Sequence, residues 1–263
     1  MSHAGAGQWN DLRQRLISGG LFAIVGLAAV WVGGFWFHLF AALICGVMVW
    51  EVARMVGALG LSVPLGSLSG IALFVLVEFP SGYSLPLVFL PAIVGLSQLD
   101  KHRVSYALFS SGILVAGFGL VHLRDDFGFV WMLWLVLIVI CSDVLGYFAG
   151  KAIGGPKFWP KVSPKKTWAG TLAGWFGALL VGLAFVLTGH AGGEIVGISI
   201  AIAIAGQFGD IAESALKRRM GVKDSSAILP GHGGMFDRFD AMLGAALFLL
   251  LVEQIIDFPP VSV

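Results

Sequence analysis

The chain has 263 residues, of which 58% are hydrophobic and only 12% charged, with a formal net charge of +1 and a mean hydropathy of +0.92. This composition excludes an ordinary soluble domain, and it excludes a nucleic-acid-binding module, because the basic residues lie in short segments with no soluble scaffold to carry them. It points to an all-α polytopic membrane protein.

A span requires roughly 20 mostly apolar residues to cross a hydrocarbon core of about 30 Å. In chain order, windows at 16–33, 35–56, 61–79, 85–99, 104–123, 130–150, 168–188, 195–211 and 241–256 approach or meet this requirement, predicting about nine transmembrane helices. The first follows Arg13 and Arg15 and runs on into further spans without a small-residue cleavage site, so it reads as a helix and not as a removed signal peptide. Cys45 and Cys141 fall inside apolar windows without metal-ligand spacing and read as packing residues. The tryptophans lie mostly near the ends of the windows, as interfacial anchors do.

With a cytoplasmic amino terminus, fifteen of the 16 Lys and Arg fall on the cytoplasmic side, and only Arg124 falls outside. This is the asymmetry expected of inside loops. Two segments concentrate the charge: 151–167, with Lys151, Lys157, Lys161, Lys165 and Lys166, and 212–240, with Lys217, Arg218, Arg219, Lys223 and Arg238. Basic loops alone describe an edge facing acidic lipid. The accompanying carboxylates ask for more.

Asp143 lies late in the sixth window, and Asp210 and Glu213 end the eighth. Ionisable groups in membrane segments are expensive and are kept where they face a cavity, a partner or an ion. Asp210, Glu213, Ser214 and Lys217 are spaced i, i+3, i+4 and i+7, which places them on one helix face. Asp237 and Asp240 share a face at the start of the ninth helix by the same spacing. An acid-only donor set suits a hard cation such as Mg2+. The competing reading, salt bridges to the neighbouring Lys and Arg, is equally compatible with spacing alone.

The stretch Pro230-Gly231-His232-Gly233-Gly234 directly precedes that helix, where backbone N–H groups and the helix dipole favour an anion. No Walker A sequence, HExxH or GxSxG occurs, and His38, His102, His122 and His190 are scattered and read as interfacial.

The run SALKRRMGVKDSSAILPGHGGMFDRFD, Ser214 to Asp240, resembles the signature of the phosphatidate cytidylyltransferase (CDP-diacylglycerol synthase) family, SxxKRxxxxKDxxxxxPGHGGxxDRxD, at every fixed position. SPKKTWAG from Ser163, GDIAES from Gly209 and SDVLGYFAGKAIG from Ser142 resemble further segments of that family. Specific motifs thus cover about 142–240, while the first five windows match only in hydrophobic character. Three positions depart from the pattern: Ala169 stands in place of the usual Glu, Lys151 where Arg is common and Ser226 where Gly is frequent. At Ala169 the carboxylate of the resembled pattern is absent.

The resemblance implies a helical membrane enzyme, often a homodimer, with a polar cavity open to the cytoplasm and to membrane lipids. It implies transfer of the cytidylyl group of CTP to phosphatidate, giving CDP-diacylglycerol and pyrophosphate, with a divalent metal, Mg2+, and a second ion in a two-metal centre. The multi-pass chain is then expected in a bacterial-type inner membrane. Residues 1–123 form an N-terminal membrane region of about five spans, and 124–263 a catalytic region of about four.

On that reading Asp210 and Asp237 are the metal ligands, with Asp143 as a third contributor, and Asp224 and Asp240 support the metal or orient basic residues. Lys165, Lys166, Lys217, Arg218, Lys223 and Arg238 offset phosphate charge, while the Gly233 and Gly234 amides cradle phosphate oxygens. Ser214 belongs to the same substrate-binding set. Two roles stay open for each of three residues: His232 donates to phosphate or shapes the loop, and Ser163 and Thr167 bind nucleotide or cap the seventh helix. Two rival readings fit less well: a CDP-alcohol phosphotransferase needs a DGxxAR motif absent here, and an ion-coupled transporter would spread its acids along a path rather than cluster them at one face.

Overall fold

The computed structural model describes residues 20, 23–79, 84–229, 233–256 and 258. They form nine α-helices: α1 (Ala23–Val32), α2 (Gly34–Met55), α3 (Ser62–Glu78), α4 (Leu90–Gln98), α5 (Arg103–His122), α6 (Phe129–Ala152), α7 (Trp168–Leu187), α8 (Glu194–Arg219) and α9 (Phe236–Glu253). A 3-10 turn, Leu85–Phe89, leads into α4, and a π turn, Leu123–Phe127, follows α5. The expectation of a helical membrane protein is met.

Five segments among the described residues are long and apolar enough to cross a membrane: Gly34–Met55, Arg103–Phe127, Phe129–Ala152, Trp168–Leu187 and Glu194–Arg219. At a rise of 1.5 Å per residue, the 24 residues of α6 reach about 36 Å, beyond the thickness of a hydrocarbon core. The other predicted spans coincide with helices of different character. The helix Ala23–Val32, the 17-residue α3 and the Leu85–Gln98 segment are apolar but shorter, and α9 carries Asp237, Arg238, Asp240 and Glu253 within 18 residues.

The polar segment expected between the sixth and seventh spans is a small antiparallel hairpin, β1 (Lys157–Trp159) and β2 (Ser163–Thr167), an element the helical reading omitted. Lys157 pairs with Thr167 and Trp159 with Ser163, with an irregularity between the two pairs. Thr167 ends β2 in an extended conformation and caps α7, its hydroxyl oxygen accepting the Gly170 N–H at 3.2 Å. Capping, the simpler of its two expected roles, is therefore observed.

The chain divides into two compact units, one of 1–114 with 220–238 and the other of 115–219 with 239–263. In the first, α2 packs on α3 through facing small residues, and buried His38 pairs with Glu78 at 2.7 Å. An apolar groove of about 620 Å3 runs between α2 and α3, with Ile228 at its lining. Cys45 is buried here with a free thiol, as its apolar window predicted.

In the second unit α6, α7 and α8 form the packed core. Fully buried Trp134 of α6 satisfies its indole N–H on Ser199 Oγ of α8 at 3.1 Å, the polar handle a buried tryptophan requires. Helices α8 and α9 touch backbone to backbone at Gly209 and Gly244: a Cβ on Gly209 would lie 3.1 Å from Gly244 Cα and would collide with the Asp240 carbonyl. Only glycine permits that approach. Its consequence is that Asp210 and Asp240, each next to the contact, are brought together.

Candidate active site

In the second unit, α8 ends in a polar turn built on the i, i+3, i+4, i+7 face foreseen from sequence. Ser214 Oγ donates to Asp210 Oδ1 at 3.3 Å, and Lys217 Nζ lies 2.5 Å from Glu213 Oε2. Lys217, Arg218 and Arg219 occupy the last turn, where cations complement the negative end of the helix dipole. Glu213 is only 1% exposed, so its carboxylate has left water and depends on the neighbouring ammonium.

Strand β2 brings a second lysine. Lys166 Nζ lies 2.6 Å from Asp210 Oδ2 and donates to the Gln207 carbonyl at 3.3 Å. Gln207 is itself held, accepting from Trp175 Nε1 at 3.0 Å and donating to the Thr171 carbonyl at 3.3 Å. The Lys166 ammonium therefore has a fixed seat, one turn of α8 from the acids.

Asp240 completes the centre. One ligand atom from each of Asp210, Glu213 and Asp240 lies within 4.8 Å of the others, a group of three that could hold a metal ion. Asp143 of α6 acts electrostatically on both Asp210 and Asp240. Four carboxyl groups share two ammonium groups, Lys166 and Lys217, so full ionisation would leave the cluster with excess negative charge. Carboxylates so close repel one another unless a cation offsets them. The donors are all oxygen, which matches Mg2+ or a similar hard ion and not a thiolate- or imidazole-seeking metal. The residues present fit such an ion.

Two features of this centre differ from the sequence reading. Glu213 was placed on the right face but given no ligand role, although its spacing from Asp210 carried that signal. Asp240 was read as a supporting residue and is here part of the carboxylate trio.

The first unit holds the rest of the signature. Asp237 Oδ2 accepts from the Ser225 N–H at 2.9 Å, the Ser225 hydroxyl at 2.9 Å and the Gly234 N–H at 2.8 Å. Asp224 lies beside the same turn: a Cβ on Gly233, whose φ is +84°, would come 3.6 Å from Asp224 Cβ and 2.8 Å from Asp237 Oδ2. The Gly234 amide, expected to face phosphate, is thus directed at Asp237. Lys223 and Arg238 are exposed on this segment, as Lys165 and Arg218 are on theirs, while Ser163 is half-buried. His232, with Pro230 and Gly231, lies outside the described residues.

One residue was missed altogether. Glu51 of α2 is fully buried and accepts four hydrogen bonds from Ser225, Ser226, Met235 and Phe236. A lone acid in an apolar window was its only signal, and its partners lie more than 170 positions away.

The fold and these clusters define a helical membrane protein with an acid–lysine centre fitted to a hard cation. The sequence model of the cytidylyltransferase family matches residues 13–256, and the chain belongs to that family. It is 32% identical over 261 residues to the phosphatidate cytidylyltransferase of Brucella abortus biovar 1 (strain 9-941), covering 96% of this chain and 97% of that protein. It is similarly related to the phosphatidate cytidylyltransferases of Bacillus subtilis (strain 168), at 31% identity with 91% and 96% of the two chains covered, and of Staphylococcus aureus (strain COL), at 32% identity with 92% and 100% covered.

Proposed function

We propose that the protein transfers the cytidylyl group of CTP to phosphatidate, forming CDP-diacylglycerol and pyrophosphate for phospholipid synthesis. The observation that carries this reading is the trio Asp210, Glu213 and Asp240 meeting Lys166 and Lys217 at one end of α8, in a chain of the cytidylyltransferase family.

The reaction joins two polyanions. A phosphate monoester carries about −1.5 to −2 charges at pH 7, so phosphatidate supplies its own nucleophile and needs no strong general base. Its oxygen attacks the α-phosphorus of CTP, the bond from that phosphorus to the bridging oxygen of the β-phosphate breaks, and pyrophosphate departs with the electron pair. What the protein must supply is neutralisation and alignment.

Asp210, Glu213 and Asp240 would hold Mg2+, with Asp143 adding negative potential, and a bound ion neutralises and orients the triphosphate. Lys166 and Lys217 offset the charge of Asp210 and Glu213 and offer ammonium charge to phosphate oxygens. Lys165 and Arg218 add positive charge in the second unit, and Lys223 and Arg238 are phosphate binders by the family resemblance. Ser214 keeps the Asp210 carboxylate turned, through its bond to Oδ1. Asp237, a metal ligand by the family resemblance, also shapes its own turn through Oδ2.

The topology follows from charge. On the nine-window reading of the sequence with a cytoplasmic amino terminus, fifteen of the 16 Lys and Arg face the cytoplasm, where CTP is found. The test is purified protein with labelled CTP, phosphatidate and Mg2+. Release of pyrophosphate that requires phosphatidate and yields a CDP-lipid is expected. Release without phosphatidate, or none at all, overturns the reading.

A further inference from the structure

Burying a carboxylate is costly unless it is hydrogen-bonded, and Glu51 shows the full compensation. Its Oε1 accepts from the Ser226 hydroxyl at 2.5 Å and the Met235 N–H at 2.8 Å. Its Oε2 accepts from the Phe236 N–H at 2.7 Å and the Ser225 hydroxyl at 3.2 Å. Ser225 and Ser226 come from one end of the signature segment and Met235 and Phe236 from the other, so a single side chain of α2 ties both ends down. The amides of Met235 and Phe236 open α9, where a negative charge is also favoured by the helix dipole.

The tie continues to Asp237. The Ser225 hydroxyl is shared between Glu51 Oε2 and Asp237 Oδ2, and the Gly234 N–H turns to that same Asp237 oxygen. Gly234 has no room for a Cβ, because Ser225 Oγ and Glu51 Oε1 already occupy the place it would take. The glycine of the signature is thus required by the Glu51 carboxylate. Ser226, which stands where glycine is frequent in the resembled pattern, supplies the shortest of the four bonds.

We propose that Glu51 is a positioning residue of the reaction: it holds Ser225, Ser226, Met235 and Phe236 in place and through them Asp237 and Arg238. The proposal rests on the cytidylyltransferase reading for what the segment does, but not for the tie itself.

Glu51→Gln is the direct test. A serine hydroxyl can turn to accept from the new NH2 group, but a backbone N–H cannot, so Met235 or Phe236 is left with its donor facing another donor. The expected result is folded protein of near-normal melting temperature whose kcat falls about tenfold or more, with a smaller change in KM for CTP. Glu51→Asp, which keeps the charge, should recover part of that loss. Amide hydrogen exchange should quicken at Ser225 and at Gly234 to Phe236, a readout that needs no turnover. Unchanged kcat in folded Glu51→Gln, or activity lost only in proportion to folded protein, overturns the proposal, as does unchanged exchange. Should Glu51→Gln fail to fold, Ser225→Ala replaces it with the same two readouts and the same overturning results. If the wild-type protein makes no CDP-lipid while exchange still responds, the cytidylyltransferase reading falls and the tie stands.

Discussion

Lys166 Nζ sits 2.6 Å from Asp210 Oδ2, linking the second strand of the hairpin to the polar end of α8. The lysine comes from a short hairpin and the acid from a membrane helix. Their contact fixes where an ammonium meets the carboxylate trio. Lys166→Met keeps most of the length of the side chain and removes the charge. We expect kcat/KM to fall by roughly a hundredfold, the scale of losing a preorganised charged donor in an active site. Steady-state assays in detergent check it, and Lys166→Arg should recover only part because guanidinium cannot occupy the same point.

Asp210→Asn, Glu213→Gln and Asp240→Asn each remove one charged oxygen donor from the trio. The expected outcome is a fall in activity of at least about tenfold and a higher Mg2+ concentration for half-maximal rate, because carboxylate count sets affinity for hard cations. A Mg2+ titration of each purified variant reads this. Activity at the wild-type level with an unchanged Mg2+ requirement would remove that residue from the centre. Asp237→Asn is expected to lose turnover as well, through the loosened Ser225 and Gly234 bonds or as a ligand.

Removing divalent metal should abolish turnover without unfolding the chain. The helices are held largely by apolar packing and by bonds such as Trp134 to Ser199, which does not involve Asp210, Glu213 or Asp240. A chelator should therefore stop CDP-lipid formation while circular dichroism stays unchanged, and added Mg2+ should restore the rate.

Gly244→Leu should separate α8 from α9. A Cβ at Gly244 would collide with the Ala205 carbonyl and lie 3.0 Å from Gly209 Cα, so the larger side chain must displace backbone. Overpacking of this kind costs about 1–3 kcal/mol. Both a lower melting temperature and a loss of activity are expected, because the same contact brings Asp240 to Asp210.

Thr167→Ala removes the cap of α7 and should destabilise the protein by about 1 kcal/mol, with Thr167→Ser close to wild type. Lys166 precedes the cap, so a modest fall in activity should accompany the loss. Thermal unfolding and turnover measured on the same preparation separate the two effects.

Much of this protein follows from local chemistry, and was accordingly legible in the chain. Apolar runs of a given length must become helices in a bilayer, and the face of α8 with Asp210, Glu213, Ser214 and Lys217 follows from helical periodicity alone. The Thr167 cap was readable for the same reason, since donor and acceptor lie three positions apart. The hairpin at 157–167 was not, because a strand pair of this size is set by register between its two halves and shows no clear alternation.

What sequence could not rank was which acids meet. Spacing treated Asp237 and Asp240 as equals on one face, yet packing at Gly209 and Gly244 draws Asp240 to Asp210 and Glu213, while Asp237 closes the turn of Ser225 and Gly234. Glu51 had no visible partner at all, because its four donors come from the far side of the chain. Composition and local motifs carry the membrane-helical class, the family and the set of charged residues directly. The partners of those charged residues come from packing, because a hydrogen bond between distant positions exists only when helices have brought donor and acceptor within about 3 Å.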